Sequence, residues 1–130
     1  MTLTEIRSAI ISRMTAQTAI TAGDVRYPND KTYDPSGKAI WARLTNLPGQ
    51  AGATEIGDGP VVHRTGIAFI QLFVPANSGS LLITQTADKL RSLFEFTNDG
   101  KLSYFAVSAA EAGETDGWYQ INLQIPYRAL

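Results

Sequence analysis

Residues that commonly carry out catalysis are scarce in this sequence. Its 130 residues include one histidine, His63, and no cysteine. A hydrolytic triad needs a nucleophile, a base and a group that orients the base, and no Gly-x-Ser-x-Gly motif accompanies His63. We therefore interpret His63, which precedes Arg64 in a predicted strand, as a structural or interface residue. The sequence predicts no catalytic residue and no enzymatic activity.

Metal and cofactor sites are also poorly supported. A zinc site takes three or four nitrogen or sulfur ligands, which one histidine and no cysteine do not supply. Asp24, Asp30 and Asp34 surround a turn at Pro28, but their spacing does not fit a calcium loop and aspartates are common turn residues. The glycines include no Gly-x-x-x-x-Gly-Lys phosphate-binding loop. We predict no metal and no cofactor.

Composition indicates an ordinary globular domain. The chain is 44% hydrophobic and 18% charged, with a net charge of -1, so we expect a single domain over residues 1–130. This charge argues against sequence-specific nucleic-acid binding and against attraction to an anionic membrane. The start, Met1 to Arg7, lacks the features of a secretion signal, and no stretch approaches the ~20 apolar residues of a membrane span. We expect the chain to be made and folded in a cytoplasm.

Hydrophobic periodicity predicts two helices and about five strands. The helices are expected at Leu3–Gln17, behind a Thr2-x-x-Glu5 capping box, and at Leu81–Phe94, with N-cap residues within Asn77–Ser80. The strands are expected at Asp24–Tyr27, Ala39–Thr45, Val61–Val74, Leu102–Ser108 and Trp118–Tyr127. This order is typical of an α+β fold, with a mainly antiparallel (mixed) sheet and both helices packed on one face.

Two segments between these elements are predicted to be loops. Asn46–Pro60 contains four glycines and no apolar period, and loops of its length are often functional. Ala109–Gly117 is an acidic hairpin connection in the same prediction.

The sheet face without helices is the predicted partner surface. Strand alternation places the following residues outward: Trp41, Arg43, Trp118, Gln120, Asn122 and Gln124. Mixed aromatic and amide groups suit a protein interface. Tyr27, Trp41, Trp118 and Tyr119 are open to three interpretations: core, interface or a stacking platform for single-stranded nucleic acid. Core or interface is favoured because the basic residues are scattered along the chain.

The order and spacing of several short strings give the chain a family resemblance. They are Val25-Arg26-Tyr27-Pro28-Asn29, Trp41-Ala42-Arg43, His63-Arg64-Thr65-Gly66, Phe73-Val74-Pro75 followed by Gly79, Ala87-Asp88-Lys89-Leu90 with Phe94, and Gly117-Trp118-Tyr119-Gln120 through Pro126-Tyr127-Arg128. Together they resemble small phage and prophage domains of the tail-terminator-like family, over nearly the whole chain.

The resemblance implies a structural virion protein. It would form a ring of identical copies, expected to be a hexamer, that caps the tail tube, stops addition of tail tube protein and offers a surface to head-completion proteins. Its place would be the virion tail, after assembly in the bacterial cytoplasm. The residues expected at its interfaces are Tyr27, Trp41, Arg43, Gly49, Gly52, His63, Arg64, Trp118 and Gln120.

Two other classes stay open at this point. The first is a different virion role on a related fold, such as a head-tail connector or the tube protein itself. Formation of a closed ring, as opposed to an open polymer, would separate a terminator from a tube protein. A small hydrolase or ligand-binding module would need a pocket with a perturbed acid.

Overall fold

The computed structural model describes residues 1–53 and 62–130. Two α-helices and seven β-strands make up an α+β fold, which confirms the predicted class. The helices are α1 (Leu3–Thr15) and α2 (Leu81–Phe94). The strands are β1 (Val25–Arg26), β2 (Trp41–Ala53), β3 (Val62–Pro75), β4 (Asn98–Asp99), β5 (Leu102–Tyr104), β6 (Ser108–Thr115) and β7 (Trp118–Ala129).

The strands form one mixed sheet in the order β1-β2-β3-β7-β5-β4. Only the β1–β2 pair is parallel, and the other described pairs are antiparallel. Strand β7 pairs with β3 along one side, while its other side pairs with β5 near one end and with β6 near the other. The sheet therefore ends in β1 on one side and, at the level of the β6–β7 hairpin, in β6 on the other.

Both helices pack on one face of the sheet, as predicted. Helix α1 buries Ile6, Ile10 and Met14 at one-turn spacing, and α2 buries a similar stripe that ends at Phe94. Alternate residues of β2, β3 and β7 complete this core. The predicted capping box is present, since Thr2 and Glu5 bond to each other's backbone N–H groups at 3.1 Å. Because α1 and α2 cover the core face, the opposite face of the sheet, called here the open face, has no helix on it.

Strand β2 is longer than expected, so the predicted loop at Asn46–Pro60 is wrong as far as Ala53. Residues 46–53 continue as strand opposite β3, with an irregularity between Pro48 and Ala51. Proline cannot donate to a strand ladder but is tolerated where a strand has an unpaired side. Among the described strands, β1 covers β2 only at Ala42 and Arg43, which leaves such a side at Pro48. The rest of that predicted loop, 54–60, lies outside the described residues.

The predicted strand Leu102–Ser108 and the connection Ala109–Gly117 also need correction. Strand β5 ends at Tyr104, and Ser108–Thr115 forms the additional strand β6 instead of a loop. The remaining turn is Asp116-Gly117, with φ of 53° and 81°, the left-handed geometry of a two-residue hairpin turn. Alanine and glutamate have low strand propensity, but the free side of β7 offers β6 a complete set of backbone partners.

Smaller differences concern element ends. Residue Ser80 is the N-cap of α2, but its side chain makes no capping hydrogen bond, contrary to the predicted capping role of this segment. The first strand is confined to Val25–Arg26, because Asp24 closes a 3-10 turn that starts at Ala22. Helix α2 runs over the predicted Leu81–Phe94.

One arginine ties α1 to the segment that follows α2. The guanidinium of Arg13 donates to both carboxylate oxygens of Asp99, at 2.8 and 2.7 Å, and to the carbonyl oxygens of Leu93 and Asn98 at 2.8 and 3.1 Å. The Tyr104 hydroxyl donates to the same carboxylate at 2.8 Å. Burial alone would raise the pKa of Asp99, but the hydrogen bonds from Arg13 and Tyr104 outweigh it and lower this pKa.

This cluster makes the stability depend on pH. With a pKa lowered by folding, the Asp99 carboxylate stabilises the fold above its unfolded pKa, about 3.9, and that contribution is lost as pH falls through the folded pKa. We expect Asp99→Asn to lower the free energy of unfolding by about 1.5–3 kcal/mol at pH 7. The difference from wild type should shrink towards pH 3, as measured by urea unfolding at each pH. The control is Asp88→Asn on the exposed side of α2; an equal loss in both variants would contradict a specific role for Asp99.

Candidate assembly surfaces

Trp41 lies on the open face but is not exposed there. Only 7% of the residue is accessible, because its ring stacks on Phe73 at 4.1 Å and meets the edge of Trp118 at 5.9 Å. The segment between β1 and β2 covers it from outside, with Tyr33 at 5.5 Å. The expectation of an outward-facing Trp41 is therefore wrong, since a loop distant from Trp118 in sequence closes over the aromatic cluster.

The covering segment is held by a set of polar contacts. The Tyr33 hydroxyl donates to Asp24 at 2.8 Å, and Lys38 approaches the same carboxylate at 3.3 Å. Burial and this hydrogen bond raise the pKa of Tyr33 to about 12, so its hydroxyl stays protonated near neutral pH. The guanidinium of Arg26 lies over the Tyr33 ring at 4.9 Å.

A cavity with several basic side chains opens beside this cluster. We call it the basic notch; its volume is about 300 Å³, and its lining includes Arg26, Tyr27, Lys31, Tyr33, Trp41 and Arg43, together with Asn29 and Asp30. Arg43 is exposed and lies over the rings of Trp41 and Phe73 at 5.7 and 5.6 Å. Within the described part of the chain it has no carboxylate at ion-pair distance.

The notch also holds a polar atom without a partner. The indole Nε1 of Trp41 is buried and makes no hydrogen bond to any described residue. Buried polar groups are usually hydrogen-bonded, so this end of the sheet is incompletely satisfied in the isolated chain.

The centre of the open face is polar. The Gln120 side-chain amide donates to Asn122 at 2.6 Å, and both residues are half-buried. Gln120 lies opposite Phe73 in the β3–β7 register. Of the predicted interface residues, Tyr27, Trp41 and Arg43 therefore line the notch, while Trp118 and Gln120 belong to the strand β7 beside it.

The other four predicted interface residues lie at the opposite end of β2 and β3. Ala51 is opposite Arg64, which pairs with Ala129 at the end of β7. Gly52 is opposite His63, one position beyond that end. From Arg43 to Gly49 along β2 is roughly 20 Å at the usual strand rise. The structure therefore divides the predicted residues between two regions.

The helix side of this second region contains a cavity of about 480 Å³. Arg64, Gly49, Thr65 and Leu3 line it, together with the first turn of α1. Close packing requires Gly49, since a Cβ there would lie 2.9 Å from the Thr65 carbonyl oxygen. His63 is half-buried, and its Nδ1 is buried without a partner among the described residues.

A second feature of the open face is a line of apolar side chains that the sequence analysis did not identify. We call it the apolar row; in spatial order across the sheet it consists of Leu47, Ile67, Pro126, Phe105 and Phe96. Leu47 is 58% exposed, Phe105 42% and Phe96 72%. A cavity of about 410 Å³ lies against Leu47, Ile67, Phe105 and Pro126. Aligned apolar groups exposed in this way mark interaction sites more often than isolated ones.

Phe96 also has an unusual backbone. Its φ is 55°, a left-handed conformation that costs a bulky residue of order 1–3 kcal/mol. An exposed phenylalanine at such a position neither fills the core nor suits its own backbone. The hydropathy pattern could not reveal this, because Phe96 follows directly on the apolar stripe of α2.

The described residues contain no group of three or more His, Cys, Asp or Glu side chains placed to hold a metal ion. The oxygens of Asp30 and Asp34 accept backbone hydrogen bonds from Tyr27 and Ser36 at 3.0 Å, as turn residues do. No helix in the described ranges has the length and apolarity needed to cross a bilayer.

A sheet with one covered face, an exposed apolar row and a basic notch suits a subunit that contacts other proteins. The sequence matches the family described as phage tail terminator protein over residues 5–127. The chain therefore belongs to the phage tail terminator family, which makes it a structural component of a phage virion tail and confirms the resemblance.

Solved structures support the fold alone. One solved structure matches 100% of this chain over 96% of its own length, with a TM-score of 0.73 and 20% sequence identity. No curated protein matches the sequence.

We expect Phe96→Asn to leave the free energy of unfolding within about 1 kcal/mol of wild type, or to raise it. Asparagine tolerates a left-handed backbone and the exposed ring adds little to the core. The control is Phe94→Ala, two residues earlier and fully buried, which should cost about 3–5 kcal/mol. Urea unfolding measures both. A large loss in Phe96→Asn would show that Phe96 supports the fold.

Proposed function

We propose that this protein is the tail terminator of its phage. Copies of the chain close into a ring, expected to be a hexamer, on the finished tail tube. The ring stops addition of tube protein and presents a surface to head-completion proteins. The observation that carries the proposal is the family match over residues 5–127, and the two regions of the open face supply surfaces for it.

The sheet provides the asymmetry that a ring requires. Rings of identical subunits use heterologous contacts, in which two different surfaces of one chain meet. Here the sheet ends in β1 on one side and in β6 on the other, and these ends differ in length and charge. When the same contact is repeated from copy to copy, the copies form either a closed ring or an open fibre. A protein that terminates a tube requires the closed ring.

The apolar row is the proposed contact with the end of the tail tube. Its side chains cross three strands, β2, β3 and β7, and two segments beside them at one level of the open face, away from the basic notch. A strained and exposed Phe96 supports this assignment, because a residue that the fold does not need is explained by a partner. Burial of such aromatic side chains is a common source of interface energy.

The role is tested with purified protein and the tail tube protein of the same phage. Sedimentation velocity and negative-stain microscopy should show closed rings, in solution or on tube ends, and added protein should stop tube growth in a polymerisation assay. Open filaments of the chain alone would identify a tube protein instead. Unaltered tube growth, with no rings at tube ends, would contradict the terminator role.

Charge reversal tests the two predicted interface regions. We expect Arg43→Glu and Arg64→Glu to leave the circular dichroism spectrum and melting temperature unchanged, because the Arg43 and Arg64 side chains are exposed. Each should reduce the number of tailed particles in a complementation assay, since arginine pairs strongly with carboxylates at interfaces. Normal particle numbers with either variant would remove that residue from the interface, and loss of folding would make it structural.

Phe96→Asn separates the tail contact from ring formation. Because the apolar row is distant from the notch, this variant should still form rings but should cap tubes less efficiently, with Asp88→Asn as a surface control. Efficient capping by Phe96→Asn would exclude Phe96 from the tube contact.

A further inference from the structure

Strand β6 is an uncovered and acidic margin of the sheet. All eight of its residues are exposed, and its described pairing is with β7 alone. Four of the eight are alanine or glycine, so another chain can approach its backbone closely. Glu111 and Glu114 are the charged residues of the strand, and Asp116 follows in the turn.

Charge is segregated around this margin. Residues 102–127 contain Glu111, Glu114 and Asp116 and no lysine or arginine. None of these three carboxylates has a cation at ion-pair distance among the described residues. Burial and the neighbouring Glu111 carboxylate raise the pKa of Tyr119. The margin therefore presents unpaired negative charge.

The basic notch at the other end of the sheet is complementary to it. Arg26 and Arg43 are directly opposite each other in the β1–β2 register, and Lys31 lies beside them. Asp30 is the single acid in the lining, and it approaches Arg26 only at 3.8 Å. The cavity of about 300 Å³ therefore has more positive than negative groups and an exposed guanidinium over two aromatic rings.

The two surfaces cannot meet within one chain, because β3 and β7 lie between β2 and β6. They also use opposite sides of the sheet. Glu111 pairs with the buried core residue Ile121, so it lies on the helix side, whereas Arg43 lies on the open face. The helices do not cover β6, since its helix-side residues are exposed. Its helix side can therefore lie over the open face of another copy.

We propose that strand β6 of each copy overlaps the β1–β2 end of the next copy and places Glu111 and Glu114 at its basic notch. This inference deepens the proposed ring by naming the two surfaces that meet, and it rests on that proposal. The contact is heterologous, so it repeats around a ring. An overlapped notch is also shielded from water, where ion pairs are stronger than on an exposed surface.

Two charge-reversed variants test the contact when they are mixed. In Arg43→Glu the notch gains negative charge and repels the acidic β6 of another identical copy. In Glu111→Lys/Glu114→Lys the β6 margin becomes basic and repels an unchanged notch. In an equimolar mixture the two variants can alternate. The acidic β6 of Arg43→Glu then meets the unchanged basic notch of Glu111→Lys/Glu114→Lys. The basic β6 of Glu111→Lys/Glu114→Lys meets the acidic notch of Arg43→Glu.

Sedimentation velocity should show that wild type assembles. The self-association constant of each variant alone should be at least about tenfold weaker than that of wild type. The equimolar mixture should assemble again. Negative-stain counts of capped tubes give the same comparison if rings form only on tubes. Lys89→Glu on the exposed surface of α2 is the charge-matched control and should assemble normally. Circular dichroism melting confirms that each variant is folded, and Glu111→Gln/Glu114→Gln, which removes the charge alone, should be weakened less than the lysine variant.

The outcomes separate this contact from the proposed function. Normal assembly of both variants, or losses that the mixture does not restore, would overturn the overlap while rings of wild-type protein still supported a terminator. Wild-type protein that neither forms rings nor caps tubes would overturn both.

Discussion

The contacts of Arg13 fix the segment that joins α2 to the strand β4. Its guanidinium binds the carbonyl of Leu93 at the end of that helix, the carbonyl of Asn98, and the carboxylate of Asp99. These three groups flank Phe96, whose backbone is left-handed. An unfavourable conformation persists when its surroundings fix both ends of the segment, and a planar, bidentate side chain does so here. The outer end of the apolar row therefore depends on an ion pair on the other face of the sheet.

The same strands serve the fold through one face and the proposed assembly contacts through the other. Alternate residues of β2, β3 and β7 pack against α1 and α2 and complete the core. The residues between them form the open face, where aromatic rings at one end are covered by the segment between β1 and β2 and apolar groups at the other end are not. Because the exposed residues of the open face lie outside the core, substitutions of those residues can change interactions with other proteins without large losses of stability. This separation is useful in a virion protein that folds first and assembles later.

Local signals in the sequence predict much of the fold. The capping box at Thr2, the stripe of α2 and the alternation in β7 are determined by neighbouring residues, and the structure confirms all three. The continuation of β2 past Pro48 and the formation of β6 depend instead on partner strands that are distant in sequence. Burial of Trp41 depends on a loop that returns over it. Among the candidate site residues, Arg43 could be anticipated from its strand, whereas the apolar row forms only when five separated strands or segments reach the same level of the sheet.

The concentration of acidic residues at β6 and of arginines near β1 gives a single copy an electric dipole directed across its sheet. Dipoles in the plane of a closed ring cancel by rotational symmetry, whereas those of an incomplete arc add to a net moment. An arc that lacks one subunit therefore attracts and orients a free copy through its long-range field, and a finished ring loses this attraction. In the proposed assembly, the charge distribution of one subunit thus favours completion of a ring already begun over the growth of a second layer.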